Sequence, residues 1–230
     1  MKLALGVSIV GLLAAQTASA QNLLSNPDLD TIAAGDQVLP TPVAGWHVAS
    51  SKAVEGAFND GASSETFCNV AQAGGTGLFF KAFQGVTGDH VWTSLYQDVA
   101  GTAGNSYSLT GWAGAGAAYI GLSDPTVGSQ FALQFLNSSN SVIGTVTVDL
   151  KAGGLGTPNG NPFGYKQFTV SGVAPAGTTT VRSIARMMDA YNNPAGGDQA
   201  FVVDSFQLVP APGSLAILGL GGLVAGRRRR

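Results

Sequence analysis

The feature that most constrains this chain is an apolar alternation of period two, repeated in short segments between turn residues. Phe131, Leu133 and Phe135 fall on one face of a run, with Ala132 and Gln134 on the other. Val146, Val148 and Leu150 alternate with Thr145, Thr147 and Asp149, and Phe168 and Val170 flank Thr169. Val202, Asp204, Phe206 and Leu208 oppose Val203, Ser205 and Gln207. Successive side chains of a strand point to opposite faces, so such a segment offers one face to a core and one to water. Many short segments of this kind predict an all-β sandwich or barrel. Thr180 to Tyr191 also fits a helix carrying Arg182, Ile184 and Arg186, but its β-branched residues and flanking turns favour a strand. Composition agrees: 33 glycines in 230 residues supply turns, and 45% hydrophobic residues are enough to bury a core.

The two ends read as addresses. Met1-Lys2 precedes an apolar run from Leu3 to Ala15, and then comes Thr17-Ala18-Ser19-Ala20. The small pair Ala18 and Ala20 suits the narrow pocket of signal peptidase, so residues 1–20 are expected to be a signal peptide. One domain is expected over 21–208 and a tail over 209–230. The tail has an apolar stretch of 13 residues, Ser214 to Gly226, ahead of Arg227, Arg228, Arg229 and Arg230. A helix needs about 20 residues to cross a bilayer comfortably, so this short hydrophobic helix spans only by thinning the membrane. Four arginines would hold its far end in the cytoplasm and leave the domain outside. The competing reading makes this stretch a buried helix of the domain itself.

Without the ends, the basic residues are Lys52, Lys81, Lys151, Lys166, Arg182 and Arg186, against all 13 acids. An acidic domain lacks the Lys/Arg patch that phosphates need, which excludes nucleic acid as a partner. Cys68 is the single cysteine, so an internal disulfide and a Cys-rich metal site are both excluded.

The tail resembles the PEP-CTERM sorting signal: a Pro-rich motif, a short hydrophobic helix and a basic cluster. Here the motif is Val209-Pro210-Ala211-Pro212, with Ala211 where that family usually has Glu. The resemblance implies an exosortase-like processing enzyme acting near Pro210 and Pro212, transient anchoring in the cytoplasmic membrane, and display at the cell surface or in the extracellular matrix.

The order of the middle segments is also recognisable. Asn22-Leu23-Leu24-Ser25-Asn26-Pro27-Asp28-Leu29-Asp30 opens the mature chain, followed by Gly45-Trp46. Leu95-Tyr96-Gln97-Asp98-Val99 and Gly104 to Leu109 follow, then Gln134 to Asn137, Ala174-Pro175-Ala176-Gly177-Thr178 and Phe201 to Leu208. This series resembles the galactose-binding-like jelly-roll β-sandwich of carbohydrate-binding modules. The resemblance implies a structural calcium ion, with Asp30 standing at the family's early Glu and Asp204 at its late Asp. Calcium takes six to eight oxygen ligands, and two carboxylates plus backbone carbonyls suit it.

Sugar sites pair flat aromatic rings with a few hydrogen-bonding groups. Trp46, Trp92, Trp112, Tyr96, Tyr119 and Tyr191 are the aromatic candidates. Trp46 and Trp112 read as core. Trp92, beside Asp89 and His90, and the polar loop Asp189 to Asp198 with Tyr191 and Asn192 read as exposed, so Trp92, Tyr119, Tyr191 and Asn192 are the expected polysaccharide contacts. His47 and His90 stand outside any metal-binding spacing, and neither a nucleophile elbow nor a P-loop occurs. Glu55, Glu65, Asp98 and Asp149 are the acids from which a glycosidase pair would have to come. The sequence therefore favours a non-catalytic carbohydrate-binding or adhesion module. A purely structural surface protein and a glycan-active enzyme are the alternatives.

Overall fold

The structure, a computed structural model, describes residues 21–29, 45–51, 62–65, 77–81 and 90–211. The expected signal peptide, Asp30, Cys68, Pro212 and the arginine cluster lie outside the described residues. Among the described residues ten strands form in chain order: β1 His47–Ser50, β2 Ala62–Glu65, β3 Gly77–Lys81, β4 Val91–Ala100 and β5 Ser106–Ala115. They continue with β6 Gly128–Leu136, β7 Val142–Asp149, β8 Lys166–Val173, β9 Thr180–Ala190 and β10 Ala200–Ala211. Two five-stranded sheets result, in the orders β1-β4-β9-β6-β7 and β2-β3-β10-β5-β8. Every strand pairing is antiparallel. The molecule is a jelly-roll β-sandwich, where the alternation predicts a sandwich or barrel and the resemblance implies the jelly roll, and the ambiguous segment 180–190 is a strand.

The inner faces are filled by the alternating apolar residues. Val91 and Leu95 of β4, Phe131, Leu133 and Phe135 of β6, and Val181, Ala185 and Met187 of β9 meet Leu109 of β5 and Phe168 of β8. Phe201, Val203, Phe206 and Leu208 of β10 complete the layer. Each fully buried side chain of this size contributes roughly 1.5–3 kcal/mol. The ring of Phe131 packs edge-on to Phe168 and Phe206, at centroid distances of 6.2 and 5.4 Å, and ties the two sheets together. Trp46 is buried as expected; its indole N–H donates to the Asn26 carbonyl at 2.9 Å and its ring lies 5.1 Å from Phe206.

The β6–β7 hairpin shows how a local sequence sets register. Asn137 Oδ1 accepts from the backbone N–H groups of Ser139 and Ser141, both at 3.0 Å, and Asn140 takes a positive φ of 58°. Asparagine tolerates that region and mimics a turn with its side chain.

The last strand breaks register between Asp204 and Gln207 and resumes pairing with β5 as far as Ala211. It therefore runs past the domain end expected at 208: Pro210 lies opposite Tyr107 inside the sheet. Proline is tolerated there because a strand end does not need its missing N–H. β3 pairs only with residues 200–203 of β10. Beyond them the opening segment takes over: Leu23 N–H donates to the Leu208 carbonyl, and Phe206 N–H to that of Pro27.

The outer face of the β2-β3-β10-β5-β8 sheet is partly roofed. Phe79, Tyr165, Ala200 and Val202 form a second small core with Trp112 and Phe163. Trp112 thus belongs to this outer layer and not to the space between the sheets. On the outer face of the other sheet, among the described residues, Trp92 and Asp98 of β4 are exposed, Arg182 and Arg186 of β9 and Gln130 and Gln134 of β6 are half-buried, and Ala132 and Ile184 at its centre are buried.

Candidate functional site

That outer face is built by the pleat. On β4 the inward residues Val91, Thr93, Leu95 and Gln97 are buried, which turns Trp92, Ser94, Tyr96 and Asp98 outward. On β9 the same alternation presents Arg182, Ile184 and Arg186, and on β6 it presents Gln130, Ala132 and Gln134. Register aligns them in rows across the sheet. One row is Ala49, Ser94, Arg186, Gln130 and Asp149; the next is His47, Tyr96, Ile184, Ala132 and Thr147. A third holds Asp98, Arg182, Gln134 and Thr145.

Tyr96 is flanked by its neighbours. The His47 ring from β1 stacks at 5.2 Å with an interplanar angle of 27°, and the Arg182 guanidinium from β9 lies 4.3 Å from the ring centroid. Arg182 is fixed by a fork to Asp98, Nε to Oδ1 at 2.6 Å and Nη2 to Oδ2 at 2.8 Å. The bond to Asp98 raises the Arg182 pKa. Arg186 donates to Gln130 Oε1 alone, from Nε at 3.2 Å and from Nη2 at 2.8 Å.

Trp92 is the free aromatic of this face. It is 45% exposed and has no ring partner among the described residues. Its backbone is pinned to β1, because Trp92 N–H donates to Ser51 Oγ at 3.0 Å and Ser51 N–H donates to the Trp92 carbonyl at 2.9 Å. A rigid, exposed indole beside hydrogen-bonding side chains offers the stacking surface that the C–H face of a sugar ring needs.

The other expected contacts separate. Tyr119 is only 1% exposed, with its hydroxyl bonded to Ser129 Oγ at 2.8 Å and its ring stacked 5.8 Å from Phe201. It is a core residue, so its expected role as a sugar contact is corrected; burial raises its phenol pKa well above the ordinary value. Tyr191 is half-buried against the core and donates from its hydroxyl to Asp124 Oδ2 at 2.7 Å. Asn192 Oδ1 accepts from Gln199 Nε2 at 3.1 Å and serves to hold its loop. The expectation missed His47, Arg182, Arg186, Gln130 and Gln134. Their signal was present: Arg182, Ile184 and Arg186 alternate on a strand, which places both guanidinium groups on one face.

Asp98 and Asp149 do not form a hydrolytic pair. Asp98 is held by Arg182, and Asp149 accepts the Ala152 N–H at 3.1 Å. They stand on β4 and β7, three strand spacings or about 14 Å apart, too far for a glycosidase pair. Glu55 and the Glu65 side chain lie outside the described residues.

Of the expected calcium ligands, Asp204 is 4% exposed at the register break in β10, where Ser205 has a φ of 50° and donates its N–H to Asp204 Oδ1 at 2.7 Å. The opening segment crosses the same break, with Asn26 and Leu29 at positive φ. Among the described residues no group of three or more His, Cys, Asp or Glu is gathered for a metal. Asp204 by itself supplies one buried carboxylate, a single ligand of the oxygen type that calcium prefers. At the end of the other sheet a cavity of about 340 Å³ is lined by Gly116, Asn159, Asn161, Phe163 and Asp198.

No protein-family model and no curated protein matches this sequence. Solved structures are similar to it in fold. The Stig cyclase Fisc from Fischerella sp. TAU aligns at a TM-score of 0.55 and 13% identity, over 85% of this chain and 100% of its own. The enzymatically active domain of bacteriophage CBA120 tailspike protein 4 aligns at 0.52 and 10% identity, over 83% of this chain and 21% of its own. The arabinose-bound α-L-arabinofuranosidase MgGH51 aligns at 0.50 and 12% identity, over 82% of this chain and 26% of its own. The chain thus spans about a fifth to a quarter of the last two proteins. The likeness at these identities is one of fold, and the class it defines is the jelly-roll β-sandwich.

Proposed function

We propose that this chain is an exported, non-catalytic carbohydrate-binding or adhesion module that grips polysaccharide across the outer face of the β1-β4-β9-β6-β7 sheet. The observation that carries the reading is Trp92: a large indole, 45% exposed and held on a rigid strand, beside arginine and glutamine side chains on the same face. Stacking on the indole supplies affinity, and the polar neighbours supply orientation. Signal peptidase and an exosortase-like enzyme process the two ends, and the C-terminal helix holds the chain to the membrane before sorting. Among the described residues, no helix is long and apolar enough to cross a membrane. A structural calcium ion, held by Asp204 with Asp30, fastens the opening segment to β10.

The test is a polysaccharide panel read with the purified chain and its Trp92→Ala variant. Binding to at least one polymer, weakened tenfold or more in the variant at unchanged melting temperature, is the expected result. Failure of the wild-type chain to bind any polysaccharide would turn the reading toward a purely structural surface protein.

A further inference from the structure

The two arginines of the sheet face differ in a way that sorts the ligands it can take. Arg182 and Arg186 stand four residues apart on β9, two outward positions along the strand and facing the same side. Arg182 spends its fork on both oxygens of Asp98. Arg186 directs two N–H groups at one neutral oxygen, Gln130 Oε1. Among the described residues no carboxylate pairs with it and its Nη1 has no partner. The nearest acid in its row, Asp149, lies beyond Gln130 and is engaged with Ala152 N–H.

A half-buried guanidinium without a counter-ion is costly, because desolvation of a charge is ordinarily offset by an opposite charge or a full set of hydrogen bonds. The two pKa directions express the contrast: the bond to Asp98 raises that of Arg182, whereas burial alone lowers that of Arg186.

We infer that the ligand of this face carries an anionic group on its sugar rings, a uronate carboxylate or a sulfate ester, and that this group seats on Arg186 while the ring stacks on Trp92. The inference rests on the sugar-binding reading above and narrows it to acidic polysaccharides. Ser94 lies opposite Arg186, and Trp92 is the preceding outward residue of the same strand. The β4–β9 register shifts between Val91 and Thr93, so Trp92 stands at an irregularity on the diagonal from Arg186, a placement of roughly 7–8 Å between backbones in an unbroken ladder, and a pyranose on the indole brings a ring substituent toward the long arginine. A guanidinium fork matches the oxygens of carboxylate or sulfate two at a time, which a lysine cannot do. The rest of the domain is acidic and repels polyanions at long range. Selection for an acidic polymer therefore depends on this local contact.

The experiment measures affinity of the full-length chain, in mild detergent, for a uronate polymer, a sulfated galactan and a neutral galactan. The expected result is a tenfold or greater preference for an anionic polymer over the neutral one. Arg186→Gln should bring that ratio close to one. Gln130→Glu, which supplies the missing carboxylate from within the sheet, should do the same while raising the melting temperature, and it keeps the test decisive if Arg186→Gln folds poorly. Preference for the sulfated polymer over the uronate would keep the inference and identify sulfate as the seated group. Equal or tighter binding of the neutral galactan overturns the inference but leaves the sugar-binding reading standing. Absence of binding to all three polymers overturns this inference, and the broader reading falls only if the full panel is also silent.

Discussion

Asp124 shows how single side chains organise the end of the sandwich near the candidate face. Its Oδ1 accepts the hydroxyl and the N–H of Thr126 at 2.7 and 2.8 Å, and its Oδ2 accepts Tyr191 at 2.7 Å. The Thr126 hydroxyl, then Tyr191, then the Thr126 N–H lower its pKa from 3.8 to about 2. A carboxylate depressed in the folded state stabilises fully above its unfolded value and loses that contribution as the pH falls. Melting temperature should therefore drop between pH 3.8 and about 2 for the wild type. Asp124→Asn should be less stable at neutral pH and should lack that part of the acid dependence. A second expectation concerns Tyr119. Tyr119→Phe leaves Ser129 Oγ, in a residue only 2% exposed, without its partner and should cost about 1–3 kcal/mol in denaturant unfolding. Aromatic residues were visible in the sequence, but which of them are wet was not. Trp92 and Tyr119 occupy similarly Gly-flanked stretches, and the packing of Phe201 against Tyr119 together with the bond of its hydroxyl to Ser129 separates them.

Strands carry the information that single residues lack. The alternation of β6 and β8 was legible, because Phe131, Leu133, Phe135, Phe168 and Val170 all face the core, but that of β10 was not: Val202 packs in the outer layer while Phe206 and Leu208 face the core, because the register shifts between Asp204 and Gln207. The face of β9 was legible only in part: Arg182 and Arg186 stood out, but their meaning depends on Asp98 and Gln130, which come from strands far apart in sequence. Register across non-local pairs cannot be read from one strand at a time. The opening segment is a similar case. Asn22 donates from Nδ2 to the Phe206 carbonyl at 3.0 Å, and its Oδ1 accepts from Leu208 N–H at 2.9 Å and Leu24 N–H at 3.2 Å. These bonds satisfy the edge that β3 leaves uncovered. Asn22→Ala should cost about 1–3 kcal/mol, because it strands buried backbone groups of β10. Hydrogen exchange at Leu208 should speed up in that variant, and unchanged protection would show that the segment does not seal the strand.

At the scale of the molecule, one sheet face is partly roofed by its own side chains, and the other presents, among the described residues, an exposed indole and a cation without a carboxylate partner. The proposed polysaccharide would cover that face. The proposed calcium ion belongs to the same scale, since it would join the first residues to the last strand in a chain with no disulfide. Chelator should then lower the melting temperature and added calcium should restore it, because a ligand bound only to the folded state stabilises by mass action. An unchanged melting temperature would remove the ion. The central claim is the location of the binding face, and its most direct test is a two-dimensional NMR titration with the tightest polymer from the panel. The account predicts that the largest shifts fall on the Trp92 indole N–H, the Arg186 Nε–H and the amides of β4, β9 and β6. Shifts concentrated instead around Asn159, Asn161 and Asp198, at the cavity on the other sheet, would contradict it.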